Sequence, residues 1–402
     1  MRSFGLQVLL AAAIAVAPAG CSLLRAQNAQ EAEHHSADHA AASLSDIWQL
    51  QNSGTTAGLR GIDSVDGTVA WASGTGGTVL RTTDGGQHWQ ACEAPHDVKD
   101  WATLDFRGVQ AWDSATAIVM ASGPGDKSRL YKTVDACASW VQLFKNPDSP
   151  GGFFDSFWLN ALYGEGILLG DPVKGSFTVF VTTDGGNTWN RDQMRGLSTN
   201  DKALAAFAAS NSSIARSDQK FLRGFVTGGK GGAVLFQRWG GSLFRKYRLQ
   251  LKPPMLVDPD WSETPLPLAA GSDSAGGFAL GFRSIASRCR DCGLGASWRF
   301  VAVGGDYTKP NSTAGTAAWS SGDGLRWFAA TKPPHGYRSA VQWSASVQAW
   351  IAVGTNGSDI SRDDGRTWQP LDNGNWNAIS LPFVVGPDGR IGHLNPGKIP
   401  KP

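Results

Sequence analysis

Short apolar runs that end in small residues recur along most of the chain. Five of them cover residues 68–74, 117–123, 166–170, 300–304 and 349–354, and polar, glycine-rich stretches follow them. Apolar runs of about four to eight residues bounded by turn residues predict buried β-strands. No long amphipathic helical period interrupts the series after the first 45 residues. The pattern therefore predicts an all-β chain.

A turn repeat with the frame Ser/Thr-x-Asp-x-Gly-x-x-Trp follows several of these strands, and its copy at residues 321–327 is one residue short. The acidic and aromatic positions are held by Asp84, Asp135, Asp184, Asp323 and Asp363, and by Trp89, Trp140, Trp189, Trp327 and Trp368. The aspartates are 51, 49, 139 and 40 residues apart, so the long gap holds about three periods. A period of roughly 40–50 residues with short strands is typical of propeller blades.

The residue types of the turn repeat indicate a structural role. An Asp carboxylate accepts hydrogen bonds from backbone N–H groups two or three residues on, which fixes a turn. Glycines such as Gly85 and Gly86 supply the positive φ that other residues adopt at a cost. The Trp ring is then buried between neighbouring elements. We therefore expect these residues to build hairpins and not to catalyse a reaction.

Counting strands predicts seven blades in one domain over residues 46–395. The last blade, which begins at residues 376–380 and ends at 390–394, has too few residues for four strands. We expect residues 47–51 to supply its missing outer strand, so that the two ends of the chain close the ring. Closure removes free sheet edges that would otherwise pair with other chains. The predicted fold is an all-β, seven-bladed β-propeller with a C-terminal tail at residues 396–402.

The N-terminal 45 residues indicate export. Residues 7–17 form a short apolar segment after Arg2, as in a secretory signal peptide that we place at residues 1–20. Residues 18–21 resemble a bacterial lipobox in which Cys21 is lipidated, but Pro18 replaces the usual aliphatic residue. Cleavage near Ala26 or Ala29 is the equal alternative. Residues 21–45 read as a flexible tether, and the expected location is periplasmic or envelope-anchored in a bacterium.

Four cysteines remain once Cys21 is set aside, an even number in a chain expected to be exported. Cys92 follows the first turn repeat and Cys137 occupies a glycine position of the second, so adjacent blades could join them. Cys289 and Cys292 form a CxxC in a loop of blade five. We expect two structural disulfides, 92–137 and 289–292. No βαβ unit accompanies the CxxC, which argues against a thioredoxin-like role.

Composition excludes several classes of function. The formal net charge is +2, and no basic run alternates with aromatic residues, so nucleic acid is not an expected partner. The glycine-rich stretches at 74–77 and 228–232 do not open a helix after a strand, so they are not nucleotide fingerprints. His34, His35 and His39 lack a Cys or carboxylate set, and we expect no metal and no cofactor.

Aligning the repeats on their first strands, which line the channel of a propeller, places five polar residues in one register. They are Arg60, Arg107, Asn160, Arg338 and Asn377. Guanidiniums and amides that face one opening would form an anion-binding mouth. In the alternative, a local carboxylate such as Asp63 or Asp105 pairs with each arginine. Arg283 falls outside the register because Phe278 aligns with Arg60.

The chain resembles the photosystem II stability/assembly factor-like group of BNR/Asp-box propellers. The matching stretches lie at residues 59–89, 206–214, 299–307 and 336–343, and the resemblance extends over residues 46–394. It implies a seven-bladed, non-catalytic lumenal or periplasmic protein, and we expect a monomer. It also implies an arginine patch, matched here by Arg60, Arg107 and Arg338, that binds a protein partner such as a membrane-complex subunit. Membrane contact is expected only through a lipid anchor.

The turn repeat is also similar to that of the sialidases, which implies an alternative function. That family holds an acidic sugar with three arginines and uses a Tyr nucleophile. Tyr337, Arg338 and Glu165 are the residues here that match, but the N-terminal Arg-Ile-Pro element is missing. The alternative prediction is a sialidase-like exo-glycosidase.

Overall fold

The computed structural model describes residues 47–160, 164–215, 222–239, 260–285, 298–322 and 324–400. The predicted signal peptide, the tether, Cys21, Asp323 and the Cys289–Cys292 pair lie outside these residues. Within the described ranges, helical residues form single 3-10 turns at Trp101–Thr103, Gly125–Lys127 and Pro396–Lys398. No helix there is long and apolar enough to cross a membrane.

The strands form seven antiparallel sheets, and the all-β prediction is confirmed. The first four blades contain β2 Leu59–Ser64, β3 Ala70–Gly74, β4 Val79–Thr82, β5 Gln90–Ala91, β6 Phe106–Ala111, β7 Ala117–Ala121, β8 Arg129–Thr133, β9 Val141–Lys145, β10 Phe154–Asn160, β11 Glu165–Val173, β12 Ser176–Thr182, β13 Asn190–Arg191, β14 Leu222–Val226, β15 Val234–Trp239 and β16 Ser262–Pro265. The last three contain β17 Ala275–Ser284, β18 Trp298–Asp306, β19 Ala317–Ser321, β20 Phe328–Ala329, β21 Ala340–Ser344, β22 Ala349–Gly354, β23 Gly357–Ser361, β24 Gln369–Asp372, β25 Ala378–Ser380, β26 Phe383–Val385 and β27 Ile391–Leu394.

The sheets surround one axis. The first strand of each blade contacts the first strand of a neighbouring blade, as β2 does with both β6 and β25. Within a blade the remaining strands pair outward in sequence order. This arrangement is the predicted seven-bladed propeller, and it brings the beginnings of all the first strands to one end of the channel.

The two ends of the chain close the ring, as the sequence predicts. Strand β1 Trp48–Gln51 pairs antiparallel with β27 and becomes the outermost strand of blade seven. The Trp48 indole lies 6.1 Å from the Trp376 ring and donates to Ser358 Oγ at 3.0 Å. The N-terminal strand is therefore anchored in blade seven and against blade six at once.

Blade four obtains its innermost strand from an irregular segment that the strand count missed. Its regular strands are only β14, β15 and β16. Val226 N donates to Ser213 O at 3.0 Å, and Ala215 N donates to Gly224 O at 2.8 Å. Residues 213–215 therefore take the inner position. The chain that leads into them, residues 206–212, contains no regular strand and lies in the channel, as shown below.

The core lies between successive blades. Leu59, Ile62 and Ala72 of blade one pack against Phe383 and Val385 of blade seven, and similar buried clusters lie at the other junctions. A fully buried side chain of Leu or Phe size stabilises the fold by about 2 kcal/mol. Because each interface uses side chains from two blades, the ring is stable as a unit.

The four copies of the turn repeat whose Asp lies in the described residues share the hydrogen bonds of their Asp and Ser/Thr side chains. In the third copy Thr182 Oγ1 donates to Asp184 Oδ1 at 2.7 Å, and Thr188 N donates to the same oxygen at 2.9 Å. A hydrogen bond from Thr188 Oγ1 to Asp184 Oδ2, together with these two bonds, lowers the pKa of Asp184 to about 2. Gly186 N donates to Thr182 Oγ1, and the Trp189 indole donates to Gly186 O. The Asp and Ser/Thr side chains are thus engaged within each turn, whereas the Trp indoles differ, since Trp89 donates to Gln51 of the N-terminal strand.

The predicted disulfide between Cys92 and Cys137 is present, and it joins blades one and two. Ala136 and Cys137 have φ of 61° and 62°, whereas Gly85 and Gly86 occupy the equivalent positions in the first repeat. Left-handed backbone is costly for residues with a Cβ. The second copy therefore holds a glycine conformation with non-glycine residues and carries a covalent link beside it.

Candidate functional site: the channel mouth

Four first strands carry a β-bulge near their beginnings, and each bulge isolates one residue from the strand pairing. The isolated residues are Arg60 in β2, Arg107 in β6, Asp155 in β10 and Phe278 in β17. A bulge re-aims the side chain of the extra residue. The equivalence of Arg60 and Arg107, and the alignment of Phe278 with them, follow the register expected from the sequence.

The expected register is wrong in blade six. Gly354 lies over Tyr337 O and the Arg338 Cα, just as Gly74 of blade one lies over Gly58 O and the Leu59 Cα. Arg338 is thus the counterpart of Leu59, and Ser339 is the counterpart of Arg60. A shift by one residue turns a side chain to the other face of a strand, so Arg338 does not face the channel.

Arg338 is fully buried in a polar cage instead. Its Nε donates to Asp359 Oδ2 at 2.7 Å, and Nη2 also contacts that carboxylate. Nη1 donates to Tyr337 O and Asn356 Oδ1, while His335 lies beside the guanidinium. Both members of the ion pair have fully buried side chains. Every side of this arginine is occupied by the protein, which gives it a structural role.

Asn160 also lies away from the mouth. It ends β10 and pairs with Glu165, five residues beyond the bulge at Asp155. At about 3.3 Å per residue, this separation is roughly 16 Å along the strand. Asn377 does occupy the Arg60 position of blade seven, but its Nδ2 donates to Leu59 O at 2.8 Å and so joins blades seven and one. Of the five expected residues, Arg60 and Arg107 remain to present charge at the mouth.

Arg60 and Arg107 share one carboxylate. Arg107 Nε lies 2.7 Å from Asp105 Oδ2, and Arg60 Nε lies 3.6 Å from Asp105 Oδ1. The side chain of Arg107 is 15% exposed and that of Arg60 is 25% exposed. Pairing with Asp105 is one of the alternatives open from the sequence. The other carboxylate considered, Asp63, accepts a hydrogen bond from Ala111 N. The Asp105 carboxylate thus lies between the two guanidiniums, and we call these three side chains the arginine cluster.

The channel beneath the arginine cluster is filled by residues 206–212, which we call the axial segment. Ser210 Oγ donates to Ser339 O of blade six at 2.7 Å, and Leu280 N of blade five donates to Ser212 O at 2.9 Å. On the opposite side Phe157 N of blade three donates to Asn211 Oδ1 at 2.7 Å. Since the segment bonds to blades on several sides, it lies at the axis. We call the partly exposed surface beside it, which carries the arginine cluster, the mouth.

Two acidic residues border the axial segment. Asp155 is 1% exposed, and its Oδ2 accepts no hydrogen bond. Burial and the neighbouring Asp171 carboxylate raise the pKa of Asp155 well above its usual range, although Arg107 acts in the opposite direction. Burial also raises the pKa of Asp171 to about 6, while the hydrogen bond from Ala206 N opposes the rise. The charge near the mouth therefore changes at mildly acidic pH.

An aromatic cluster forms the other side of the mouth. Phe207 of the axial segment stacks on Phe278 with centroids 4.0 Å apart, and Tyr307 and Tyr337 pack edge-on against Phe278. Phe278 and Tyr337 are buried, whereas Phe207 and Tyr307 remain partly exposed. A methyl group on Gly228 would lie 2.6 Å from the Phe207 ring, so the absence of a side chain there makes room for it.

No protein-family model matches this chain, and no curated protein matches its sequence. Among solved structures, one described as YCF48 bound to D1 peptide aligns with a TM-score of 0.55 and 15% identity, covering 87% of this chain and 97% of that one. YCF48 from Cyanidioschyzon merolae aligns with a TM-score of 0.54 and 16% identity, covering 87% and 99%. This chain has a fold similar to that of YCF48.

The resemblance to the photosystem II stability/assembly factor-like group is thereby confirmed at the level of the fold. The similarity to YCF48 extends over almost the whole length of the solved chains, so it includes the ring of blades and its closure. Because one fold supports many functions, the likeness to YCF48 does not transfer a binding site.

The residues proposed for a sialidase site do not come together. Tyr337 is 4% exposed, packs against Phe278, and has a pKa raised by burial. Glu165 pairs with Arg223 at the far end of blade three. Arg338 lies in its buried cage. Across the described ranges, no group of three or more His, Cys, Asp and Glu side chains is arranged to hold a metal ion.

Proposed function

We propose that the chain is an exported, non-catalytic propeller that binds a protein partner through Arg60 and Arg107. The observation that carries the proposal is their placement at equivalent bulges of neighbouring blades, above a filled channel. Partly exposed guanidiniums in fixed positions form strong, directional bonds with carboxylates. The shared Asp105 holds both arginines in place. The partner therefore presents an acidic group.

The solved YCF48 structures supply the analogy for the kind of partner. YCF48 is a propeller of similar fold that is described as bound to D1 peptide. A propeller that uses one mouth to hold a segment of a membrane-complex subunit during assembly is the function that this analogy favours. The analogy rests on the similar fold. In this chain, the arginine cluster is the feature that supports binding of a protein segment.

We place the protein outside the cytoplasm as a monomer. The apolar segment at residues 7–17 supports export, and the Cys92–Cys137 disulfide suits an oxidising compartment. Anchoring through a lipid on Cys21 and release by cleavage near Ala26 or Ala29 remain the two alternatives. Mass spectrometry of the mature N-terminus separates them, since a diacylated Cys21 and an unmodified later residue differ by several hundred daltons.

A capture experiment tests the binding proposal. The Arg60→Ala/Arg107→Ala variant and wild type are immobilised and exposed to a detergent-solubilised envelope fraction, and the bound proteins are quantified by mass spectrometry. Arg195→Ala/Arg326→Ala is the matched control, because both arginines are exposed and lie outside the mouth. We expect specific partners to be lost at least tenfold with the mouth variant only. Equal recovery from the mouth variant and wild type would refute the proposal.

The absence of catalysis is part of the same proposal. It is supported by the separation of Tyr337 from Glu165 and by the burial of Arg338. Hydrolysis of a fluorogenic sialoside by the purified, folded protein tests this point directly. We expect no release above a boiled control. Turnover that disappears in the Arg60→Ala/Arg107→Ala variant would instead establish the glycosidase alternative.

A further inference from the structure

The mouth has two chemically different sides. The arginine cluster belongs to blades one and two, whereas the aromatic cluster is built by the axial segment and blades five and six. Among the aromatic residues, Phe207 and Tyr307 keep exposed surface. Their rings are held nearly perpendicular, with centroids 6.4 Å apart. This pair is a fixed apolar surface beside a fixed cationic one.

The two sides adjoin each other. Arg107 Nη1 lies 3.4 Å from Ala208 O, the residue next to Phe207. Burial and the carboxylates of Asp306 and Asp273 raise the pKa of Tyr307, and Arg107 opposes this rise. Across the mouth, Arg60 acts in the same direction on the buried Tyr337. A ligand group bound to Arg107 would therefore have the Phe207 and Tyr307 rings within reach of its neighbouring side chain.

The filled channel limits how a ligand can lie. The hydrogen bonds of Ser210, Asn211 and Ser212 to three different blades fix the axial segment across the axis. A ligand bound to Arg107 therefore meets the axial segment, which Arg107 contacts at Ala208 O. A chain segment that crosses the surface can present two adjacent side chains, one to each side of the mouth.

We propose that the mouth reads a two-part signal: an Asp or Glu side chain held by Arg60 and Arg107, next to an apolar side chain held by Phe207 and Tyr307. Phe207 and Tyr307 are then the residues that determine specificity. The inference rests on the proposed binding function and adds the identity of the neighbouring side chain. The arginines supply orientation and charge complementarity. The aromatic pair supplies desolvation, which is the larger source of affinity at such anchors.

Binding of defined peptides to the full folded chain tests this inference. The probes are end-blocked, fluorescein-labelled hexapeptides: Gly-Ser-Asp-Leu-Ser-Gly, the same peptide with Ser in place of Leu, and the same peptide with Asn in place of Asp. Fluorescence anisotropy gives each dissociation constant. Burial of a Leu side chain predicts that the Asp-Leu peptide binds about tenfold or more tightly than the Asp-Ser peptide. The Asn-Leu peptide is expected to lose at least tenfold.

Substitutions at Phe207 and Tyr307 test whether these two residues cause the preference for Leu over Ser. Tyr307→Ala and Phe207→Leu should reduce the Leu-over-Ser preference to about threefold or less, while Phe328→Ala, an exposed aromatic on the outer strand of blade five, should leave it unchanged. Phe207→Leu is chosen over Phe207→Ala because leucine keeps most of the buried volume, so that the variant folds while the aromatic ring is lost. Circular dichroism confirms that each variant is folded.

The outcomes separate this inference from the binding proposal. Equal binding of the Asp-Leu and Asp-Ser peptides, abolished by Arg60→Ala/Arg107→Ala, would overturn the two-part signal and leave the arginine mouth intact. No binding of any acidic peptide, together with equal partner capture by the mouth variant, would overturn both proposals.

Discussion

The Arg338 guanidinium donates from Nε to Asp359 Oδ2 at 2.7 Å, and both side chains are completely buried. A buried ion pair of this kind is strongly destabilised when one partner is removed, because the other charge remains buried without compensation. Because Arg338 is held in this ion pair, it does not face the mouth. Its substitution therefore tests how the strands of blade six align with those of blade one.

Arg338→Ala should reduce the free energy of unfolding by about 3–5 kcal/mol. The reason is the Asp359 carboxylate, which loses its charged partner while it stays buried. Equilibrium unfolding in urea measures the change, with Arg326→Ala as the exposed control. If Arg338→Ala changed stability by less than about 1 kcal/mol but abolished partner capture, Arg338 would belong to the mouth after all.

Asp171→Asn should stabilise the protein at pH 8 and have little effect at pH 4. The folded-state pKa of about 6 lies above the ordinary value of 3.8, so the folded state favours the protonated acid. The resulting stabilisation is fully present below pH 3.8 and is lost as the pH rises through 6. Asparagine keeps an acceptor for Ala206 N without the charge. The expected gain at pH 8 is at most about 3 kcal/mol.

Thermal unfolding of wild type and Asp171→Asn between pH 4 and pH 8 measures this difference. Asp148→Asn is a suitable control, because Asp148 forms its ion pair with Arg191 away from the mouth. A constant difference between Asp171→Asn and wild type across the range would contradict the raised pKa.

Removal of the Cys92–Cys137 disulfide should cost about 2–4 kcal/mol, since it closes a loop with a sequence separation of 45 residues. The residue placed at 137 should matter, because its φ of 62° favours glycine. Cys92→Ala/Cys137→Gly is therefore expected to be about 1 kcal/mol more stable than Cys92→Ala/Cys137→Ala. Urea unfolding under identical conditions compares them. Greater stability of the Ala variant would show that the turn does not require left-handed backbone there.

Trp48→Ala should weaken the closure of the ring by about 3–5 kcal/mol. The indole is 2% exposed and joins the N-terminal strand to blades six and seven. Hydrogen exchange should show increased exchange first in β1 and β27, because those strands pair with each other. If exchange rose equally in all blades, β1 would be required for the stability of the whole ring and not only for the closure of blade seven.

Much of the architecture could be predicted from local patterns. Strand β22 Ala349–Gly354 was predicted with its observed bounds, and the closing strand at residues 47–51 and the Cys92–Cys137 link were also predicted. Each has a strong local signal: an apolar run, a shortage of strands in the last blade, or a cysteine in a glycine position. The site was predicted only in part, since Arg60 and Arg107 share a residue pattern and also a bulge.

Arg338 and Asn160 show why the remainder of the site was mispredicted. Residue types suggested that Tyr337-Arg338-Ser339 matches Leu59-Arg60-Gly61, but the position of Gly354 moves the match by one residue. In blade three the bulge falls at Asp155 and not near Asn160. The sequence carried a signal for the first error, because Gly354 and Gly74 end equivalent strands and aligning them gives the observed register.

The sequence by itself determined the number of blades, the turns between their strands, the closing strand and the disulfide, because each depends on interactions between near neighbours or on a repeat that can be counted. Only the tertiary structure decided which side chains face the axis, since a bulge or a one-residue shift reverses a strand's faces without changing its composition. The same holds for the axial segment, whose irregular backbone is fixed by hydrogen bonds to blades far apart in sequence. The mouth is the product of those long-range contacts.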